Sequence, residues 1–600
     1  MTDNNSSSAA TTGLRSDVQA IIDRPTAEVL VIGGGINGVG TFRDLALQGV
    51  DVVLIERADF VSGASAASSH MIHGGVRYLE NGEFRLVRES VQERNRLLRL
   101  APHYVKPLPT TIPIFSTFSG ILSAPLRLLT HKPGGKTKER GALLIKMGLT
   151  GYDSFSRDGG TVPRHEFKGH KKSMQKFPKL RDTVKYTARY YDAAVENPER
   201  LALDIVGDGI VAGKAKARQS NYVEAIGSSP EGVVLRDNVS GTEFTVKADV
   251  VVNTSGPWTD LTNAALGKST SYMGGTKGSH IVLDNQELFD ACAGGEMFFE
   301  NNDGRIVLIY PLNGRVLVGT TDIDADPAEP AVCTEEEVDY FFELVSHVFP
   351  TIAIDRSQIV FRYSGIRPLP KHDDTAPGFV SRDYRIEQNV FAGDKKTPML
   401  SLVGGKWTTW RALSEHLTNE TLALLKKTRS VGTENLQIGG GVDFPTTDSG
   451  VKAWVAKNSG GLTPARATQL LKRYGTKASQ VISFIGEHSD DTALTSLPEY
   501  STAELDYLIS TEYVVHLTDL VLRRTIVAFT GGLTQPVFDE LSTIVGKQLG
   551  WSADELAAER RLAVDDLAFN HGLELEAAVP DAVAEKVAGG VSASASASQL

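Results

Sequence analysis

Residues 27–56, AEVLVIGGGINGVGTFRDLALQGVDVVLIE, constrain this chain more than any other stretch. Residues 27–32 are a short apolar run rich in β-branched side chains, the pattern of a strand buried in a parallel sheet. The run enters Gly33, Gly35 and Gly38, which fit G-x-G-x-x-G. A helical pattern follows over 37–48, and Gly49 stops it. Residues 50–55 are a second apolar run with Glu56 at its carboxyl end. Gly33 permits the tight turn, Gly35 lets amides approach a pyrophosphate, and Gly38 lets helix and strand pack closely. Asn37 and Gly38 then stand at a helix N-terminus, where phosphate is favoured. Glu56 accepts hydrogen bonds from a ribose 2′-hydroxyl and repels a 2′-phosphate, so the motif reads as a dinucleotide site that disfavours NADP.

Six hundred residues are enough for about two to four domains and a large core. A net charge of −11 argues against a general nucleic-acid binder, and no such partner is expected. Only Cys292 and Cys333 are present, with no C-x-x-C, which suits a reducing compartment. Asp322, Asp324 and Asp326 mimic the start of a calcium loop, but Pro327 and Cys333 occupy positions that need Gly and Glu. No metal is therefore expected. No run approaches the roughly 18 apolar residues of a membrane span.

Residues 57–78, RADFVSGASAASSHMIHGGVRY, are small and polar with paired glycines. Such a stretch can lie along a ligand longer than the pyrophosphate half of NAD, such as FAD with its ribityl chain. Ser65, Ser69 and His73 are the candidate contacts. A helical pattern covers 79–100, strands 186–191, 222–226 and 248–253, and a helix 197–212. After the third of those strands comes Thr254-Ser255-Gly256-Pro257-Trp258, a small-residue turn where α/β sheets bind ligands, so Val223 and Gly256 join the cofactor set. Residues 272–321 alternate short strands with turns and read as an antiparallel sheet. Further on, Thr463-Pro464 opens a helix to Tyr474, and 505–529 and 538–549 read as helices.

IGGGINGVGTFRD followed by SSHMIHGGVRYLENGEFRLVRE, then RYYDAAVENPERL, NTSGPW, KGSHIVL, YSGIRPLP and GGKWTTWR, all in one order, resemble the FAD-dependent glycerol-3-phosphate dehydrogenase family, bacterial aerobic type. The resemblance spans about 27–413. Phe42, Gln48, His70 and Trp410 depart from the family's pattern: the first two lie on the helix and concern packing, and His70 lies beside the cofactor stretch. The resemblance implies an α/β fold: a Rossmann-like FAD-binding domain of the glutathione-reductase/D-amino-acid-oxidase type, an antiparallel β substrate domain and a C-terminal α-helical domain. The implied reaction oxidises sn-glycerol 3-phosphate to dihydroxyacetone phosphate and hands electrons to a membrane quinone. An oxidase passing them to oxygen, or another flavoprotein oxidase of this fold, is the alternative. A homodimer is compatible with it.

A dianionic phosphate calls for Arg and Lys. Matching motifs offer Arg77 and Tyr78 in HGGVRY, Arg367 in SGIRPL, Arg382 in SRDY and Lys406 in GGK. His280 in KGSH is the candidate for proton transfer, since imidazole titrates near neutral pH; Arg367 or water competes for that role. Gly404, Gly405 and Thr408 open a late helix whose N-terminus could stabilise negative charge on a reduced flavin.

Residues 115–185 look like an enlarged insertion, with an apolar wedge at 121–129 and a basic run from Lys132 to Lys179. Charge plus wedge suits an anionic lipid surface. The expected location is cytoplasmic, peripheral on the inner face of the cell membrane. The expected domains are a tail, 1–25; a discontinuous FAD-binding domain, 26–114, 186–270 and 358–430; the insertion, 115–185; a substrate-binding β domain, 271–357; a helical domain, 431–580; and a flexible end, 581–600.

Overall fold

The computed structural model describes residues 14–75, 84–115, 145–146, 148–150, 152–153, 162–300, 306–371 and 383–580. The first apolar run is the strand Thr26–Ile32. It pairs in parallel with Val52–Ile55 on one side and Glu243–Asn253 on the other. Ala217–Ser220 and Pro398–Val403 extend this sheet in parallel, and Arg385–Val390 closes one edge antiparallel. Strands buried on both faces read as continuous apolar runs, which is why the sequence shows them so clearly.

The helix Ile36–Leu47 crosses between the first two strands and packs beneath Pro198–Gly213 and Trp410–Leu424. Two departures from the family's pattern are absorbed there. A Cβ at Gly209 would stand 2.8 Å from the Phe42 ring, and one at Gly40 would stand 2.6 Å from the Trp410 indole. Each large ring thus faces a missing side chain, as close packing demands. Gln48 bonds Asp44 and the chain at Ser430 and Val431.

The second sheet runs in the order Ile323–Asp324, Met273–Leu283, Arg315–Gly319, Ile306–Leu312, Glu296–Glu300, Val105–Ile114, Tyr186–Val195, Met71–Ile72. Ile359–Pro370 pairs with Met273–Leu283, and Glu166–Gly169 with Tyr186–Val195. All the pairs are antiparallel but Val105–Ile114 with Glu296–Glu300. Residues 105–114, 186–195 and 359–370, which fall within the expected FAD-binding segments, are strands of this second sheet. Val105–Ile114 pairs with Tyr186–Val195 over ten residues. Pro107, Pro109 and Pro113 sit at alternate positions, so the donors they lack fall on one edge and leave the other free to pair.

One face of this sheet packs on the helix Glu335–Val348, and the other meets the C-terminal helices. Thr463 caps its helix through Arg466 N, with Pro464 at the first turn, as the sequence indicates. The single helix expected over 505–529 is two pieces. Thr502–Thr511 ends, Tyr513 takes φ +58°, and Leu517–Asp519 starts anew, running into a wider turn at Leu520–Arg524. Asp519 marks the new start, its carboxylate reaching back to accept the amides of Val515 (2.8 Å) and His516 (2.9 Å) as the third residue of a capping box does.

Candidate active site

Gly33 adopts φ +108°, and a Cβ there would stand 2.8 Å from the Thr254–Ser255 backbone. A Cβ on Gly38 would stand 1.8 Å from the Gly33 carbonyl oxygen. Both positions therefore require glycine. Gly35 is the capping residue of Ile36–Leu47 and brings no side-chain acceptor, and no acid lies in the helix's first turn. The partial positive charge of that end is thus left for an anion. Asn37 Oδ1 is buried and has no hydrogen-bond partner among the described residues. Glu56 accepts Gly34 N (2.6 Å) and Ala58 N (3.0 Å), which leaves lone pairs for a ribose hydroxyl. Burial pushes its carboxyl up, against the pull of those two amides. A glycine cradle, a helix end whose own capping residue brings no side chain and an orphaned amide oxygen fit the pyrophosphate and ribose of a dinucleotide.

The stretch after Glu56 is held from both sides. Ser65 Oγ accepts Ile36 N (3.0 Å), and its carbonyl accepts Trp407 Nε1 (2.9 Å). Thr408 Oγ1 donates to the His73 carbonyl (3.2 Å). Gly404 (φ +88°) and Gly405 (φ +110°) bend the chain into Trp407–Thr409, and a Cβ on Gly405 would stand 2.6 Å from Asn37 Nδ2. Gly33, Gly35, Asn37, Gly38, Ser65, His73, Gly404, Gly405 and Thr408 thus gather along one path. Val223 N is committed to the Glu56 carbonyl (2.7 Å). Gly256 takes φ +63° with open space at its Cβ position. His70, the departure beside this stretch, is buried at φ +54° and bonds the Val195 carbonyl through Nδ1 (3.2 Å), away from the cradle's polar groups.

The second sheet meets this path. His280 lies opposite Tyr363 in register, Gly278 opposite Gly365 and Thr276 opposite Arg367, so these six share one face. The cofactor stretch lies across that face: Tyr363 Oη donates to the Ser68 carbonyl (2.8 Å), and a Cβ on Gly365 would stand 2.4 Å from Ala67 Cβ. Ser69 Oγ bonds His280 Nε2 (2.8 Å), and the imidazole stacks on Tyr363 (4.8 Å, 12°). His280 is 1% exposed, and its Nδ1 is without a partner among the described residues. Burial first, then Arg367 and His70, hold its pKa well below the usual imidazole value. Arg367 lies over Gly278, where a Cβ would stand 2.0 Å from Nη2, and donates to Thr320 Oγ1 (2.8 Å), the Thr321 carbonyl (3.0 Å) and Asp322 (3.1 Å). Lys406 Nζ reaches Ser90 Oγ (3.3 Å). Arg77, Tyr78 and Arg382 lie outside the described residues.

Arg523 and Arg524 stand side by side in the C-terminal region. Both are buried on Asp59, three residues past Glu56, and Arg523 also holds Asp519 (2.9 Å). Tyr222 Oη donates to the same Asp519 (2.6 Å). The C-terminal helices therefore clasp the root of the cofactor stretch. A buried carboxylate needs such partners, but nothing local announces a pairing 465 positions apart.

Residues 28–410 match the family described as FAD dependent oxidoreductase, and 396–556 match the C-terminal domain of alpha-glycerophosphate oxidase. A glycerol-3-phosphate dehydrogenase of Synechocystis sp. is 32% identical over 84% of this chain and 90% of its own. The chain belongs to the FAD-dependent glycerol-3-phosphate dehydrogenase family. The aerobic glycerol-3-phosphate dehydrogenase of Bacillus subtilis is 28% identical over 84% of this chain and 87% of its own. A D-erythritol 1-phosphate dehydrogenase of Brucella abortus is 30% identical over 83% of this chain and 94% of its own. The glycerol-3-phosphate dehydrogenase structure from Bacillus halodurans, solved with FAD, shares the fold at TM-score 0.70 and 23% identity, covering 92% of this chain and 97% of that one.

As in this glycerol-3-phosphate dehydrogenase family, the cofactor is FAD. Gly38→Val should give folded but colourless protein, because the added carbons collide with the Gly33 carbonyl and Thr254 rather than with a flexible side chain. Flavin absorbance per protein in the purified variant checks this; full occupancy would mean that the turn does not cradle the pyrophosphate.

Proposed function

We propose that the protein oxidises sn-glycerol 3-phosphate to dihydroxyacetone phosphate and passes the electrons to a membrane quinone at the inner face of the cell membrane. The observation that carries this reading is the face shared by His280 and Arg367, laid against Ser69 of the cofactor stretch. Oxidising a secondary alcohol removes a hydride from carbon and a proton from oxygen. When bound, the flavin supplies the acceptor for the hydride. His280 takes the proton at Nδ1, the buried nitrogen without a partner among the described residues. Its depressed pKa keeps it neutral, while Ser69 and Tyr363 fix the ring. Arg367 presents its charge to the phosphate, and Asp322 and Thr320 set the plane of its guanidinium. Lys406, Arg77, Tyr78 and Arg382 complete the anion site.

Two other readings have a specific support. The match of 396–556 to an oxidase domain favours oxygen as acceptor. The Brucella relative favours a longer polyol phosphate as substrate. One experiment separates all three. Anaerobic addition of sn-glycerol 3-phosphate should bleach the flavin, and a quinone analogue should restore its colour faster than oxygen. Faster recovery in oxygen would assign an oxidase. Bleaching by D-erythritol 1-phosphate alone would move the substrate.

The membrane contact rests on the insertion, of which 116–144, the wedge and its first cations, lies outside the described residues. In the described part, Lys168 and Lys179 are paired with Glu166 and Glu287, whereas Lys171 and Lys172 are exposed. No helix among the described residues is long and apolar enough to cross a membrane. The protein should bind vesicles containing anionic lipid and leave them at high salt, since surface attraction falls off within a Debye length. Deleting 119–140 should weaken that binding with the flavin retained. Equal binding to neutral and anionic vesicles would remove the lipid reading.

A further inference from the structure

Tyr152 comes from inside the 115–185 insertion, yet it is 1% exposed and stands in a buried polar knot. Its hydroxyl donates to Asp192 Oδ1 (2.6 Å) and accepts Arg94 Nη1 (2.6 Å). The same Oδ1 accepts Arg94 Nη1 (3.1 Å) and the Gly74 amide (2.9 Å). Arg94 belongs to the helix Phe84–Leu100 and Asp192 to the strand Tyr186–Val195, and both are 1% exposed or less. Edge contact with Tyr190 (5.8 Å, 85°) fixes the Tyr152 ring.

The knot holds a backbone turn. A Cβ on Gly74 would stand 2.0 Å from Tyr152 Oη, and Gly75 takes φ +77°. One residue earlier, the His73 carbonyl accepts Thr408. The turn is therefore gripped by its carbonyl from the GGKWTT segment and by its next amide from Asp192. Buried groups satisfied this fully specify one geometry, and losing one partner leaves the others unpaired at full desolvation cost.

Resting on the placement of the cofactor beside His73 and Gly74, we propose that Tyr152, Asp192 and Arg94 are positioning residues for the flavin, so that the insertion is a working part of the active site. Tyr152 acts through Asp192 and the Gly74 amide. Burial pushes its pKa well above the usual value, so the hydroxyl stays a donor.

A matched control exists in the C-terminal helices, at a tyrosine whose hydroxyl bonds no residue of the cofactor path. Tyr474, also buried, donates to Glu504 Oε1 (2.6 Å), a buried carboxylate that Arg473 also holds (2.9 Å), in the C-terminal domain. Tyr152→Phe and Tyr474→Phe each delete one buried hydroxyl, so both should lower Tm to a similar degree. Only Tyr152→Phe should speed FAD loss from the diluted holoenzyme, by about tenfold, the worth of one buried hydrogen bond, and change the shape of the visible flavin spectrum. Equal Tm losses with unchanged FAD release and spectrum in Tyr152→Phe would overturn the proposal. Thr408→Val tests the underlying placement. If it too leaves FAD release and spectrum unchanged while Gly38→Val loses the cofactor, the turn does not border the flavin and both readings fall. Should Tyr152→Phe not fold, Arg94→Lys is scored by the same release rate and spectrum.

Discussion

His280→Ala should lower kcat/KM for sn-glycerol 3-phosphate by about a hundred- to ten-thousand-fold, the usual worth of a positioned proton acceptor, with FAD still bound. The imidazole is 1% exposed, clamped by Ser69 at Nε2 and stacked on Tyr363, so removing it leaves a hole that water fills poorly. His280→Gln separates proton transfer from a purely hydrogen-bonding role. Glutamine can keep the bond to Ser69 but cannot take a proton at neutral pH. If His280 moves the proton, the Gln variant is as slow as the Ala variant; if it only holds Ser69 or the substrate, Gln restores most of the rate. The pH profile gives a second readout. The base works when neutral, and burial keeps its pKa well below the usual value. The rate should therefore stay level as pH falls through the ordinary imidazole value of about 6.5 and drop only below it. Loss of flavin from the Ala variant would reassign His280 to the support of the cofactor stretch.

What the sequence revealed follows from the range of the interaction behind each feature. Gly33, Gly38 and Glu56 obey a spacing dictated by one short strand-turn-helix unit, and the structure places all three around one cradle. Thr463 and Pro464 likewise announce a helix start through contacts within one turn. The strand Val105–Ile114 was hidden by its three prolines, and its membership of the second sheet depends on a partner some eighty residues on. Asp519 was hidden because a cap in the middle of an apolar pattern looks like one polar residue on a helix. Arg523, Arg524, Asp192 and Tyr152 carry no periodic signal, and each gains meaning only from a buried partner distant in sequence. A run of small polar residues after Glu56 did signal an extended ligand path. The groups that hold that path in place come from everywhere else in the chain.

Arg367→Ala should cut kcat/KM for sn-glycerol 3-phosphate far more than for glycerol, since only the former carries the charge this guanidinium reads. Loss of a charged hydrogen bond costs about 1.5–3 kcal/mol, roughly a factor of ten to more than a hundred. Arg367 already donates to Asp322, Thr320 and the Thr321 carbonyl, so its plane is set before any ligand arrives. Arg367→Lys keeps the charge but loses the fork, and should fall between wild type and Arg367→Ala. Asp322 supplies a discriminating test, because its carboxylate competes with a bound phosphate for the same cation. Asp322→Asn keeps an oxygen acceptor for Arg367 and removes the competing charge, so KM for the phosphate substrate should fall while that for glycerol stays put. Lys406 is the second cation, but its reach to Ser90 allows it to face the flavin instead. A changed flavin spectrum in Lys406→Ala, with the preference for phosphate intact, would assign it there. If the ratio of kcat/KM between the two substrates keeps its wild-type value in Arg367→Ala and Lys406→Ala alike, these residues do not read the phosphate, and the phosphate site must be built from Arg77, Tyr78 and Arg382.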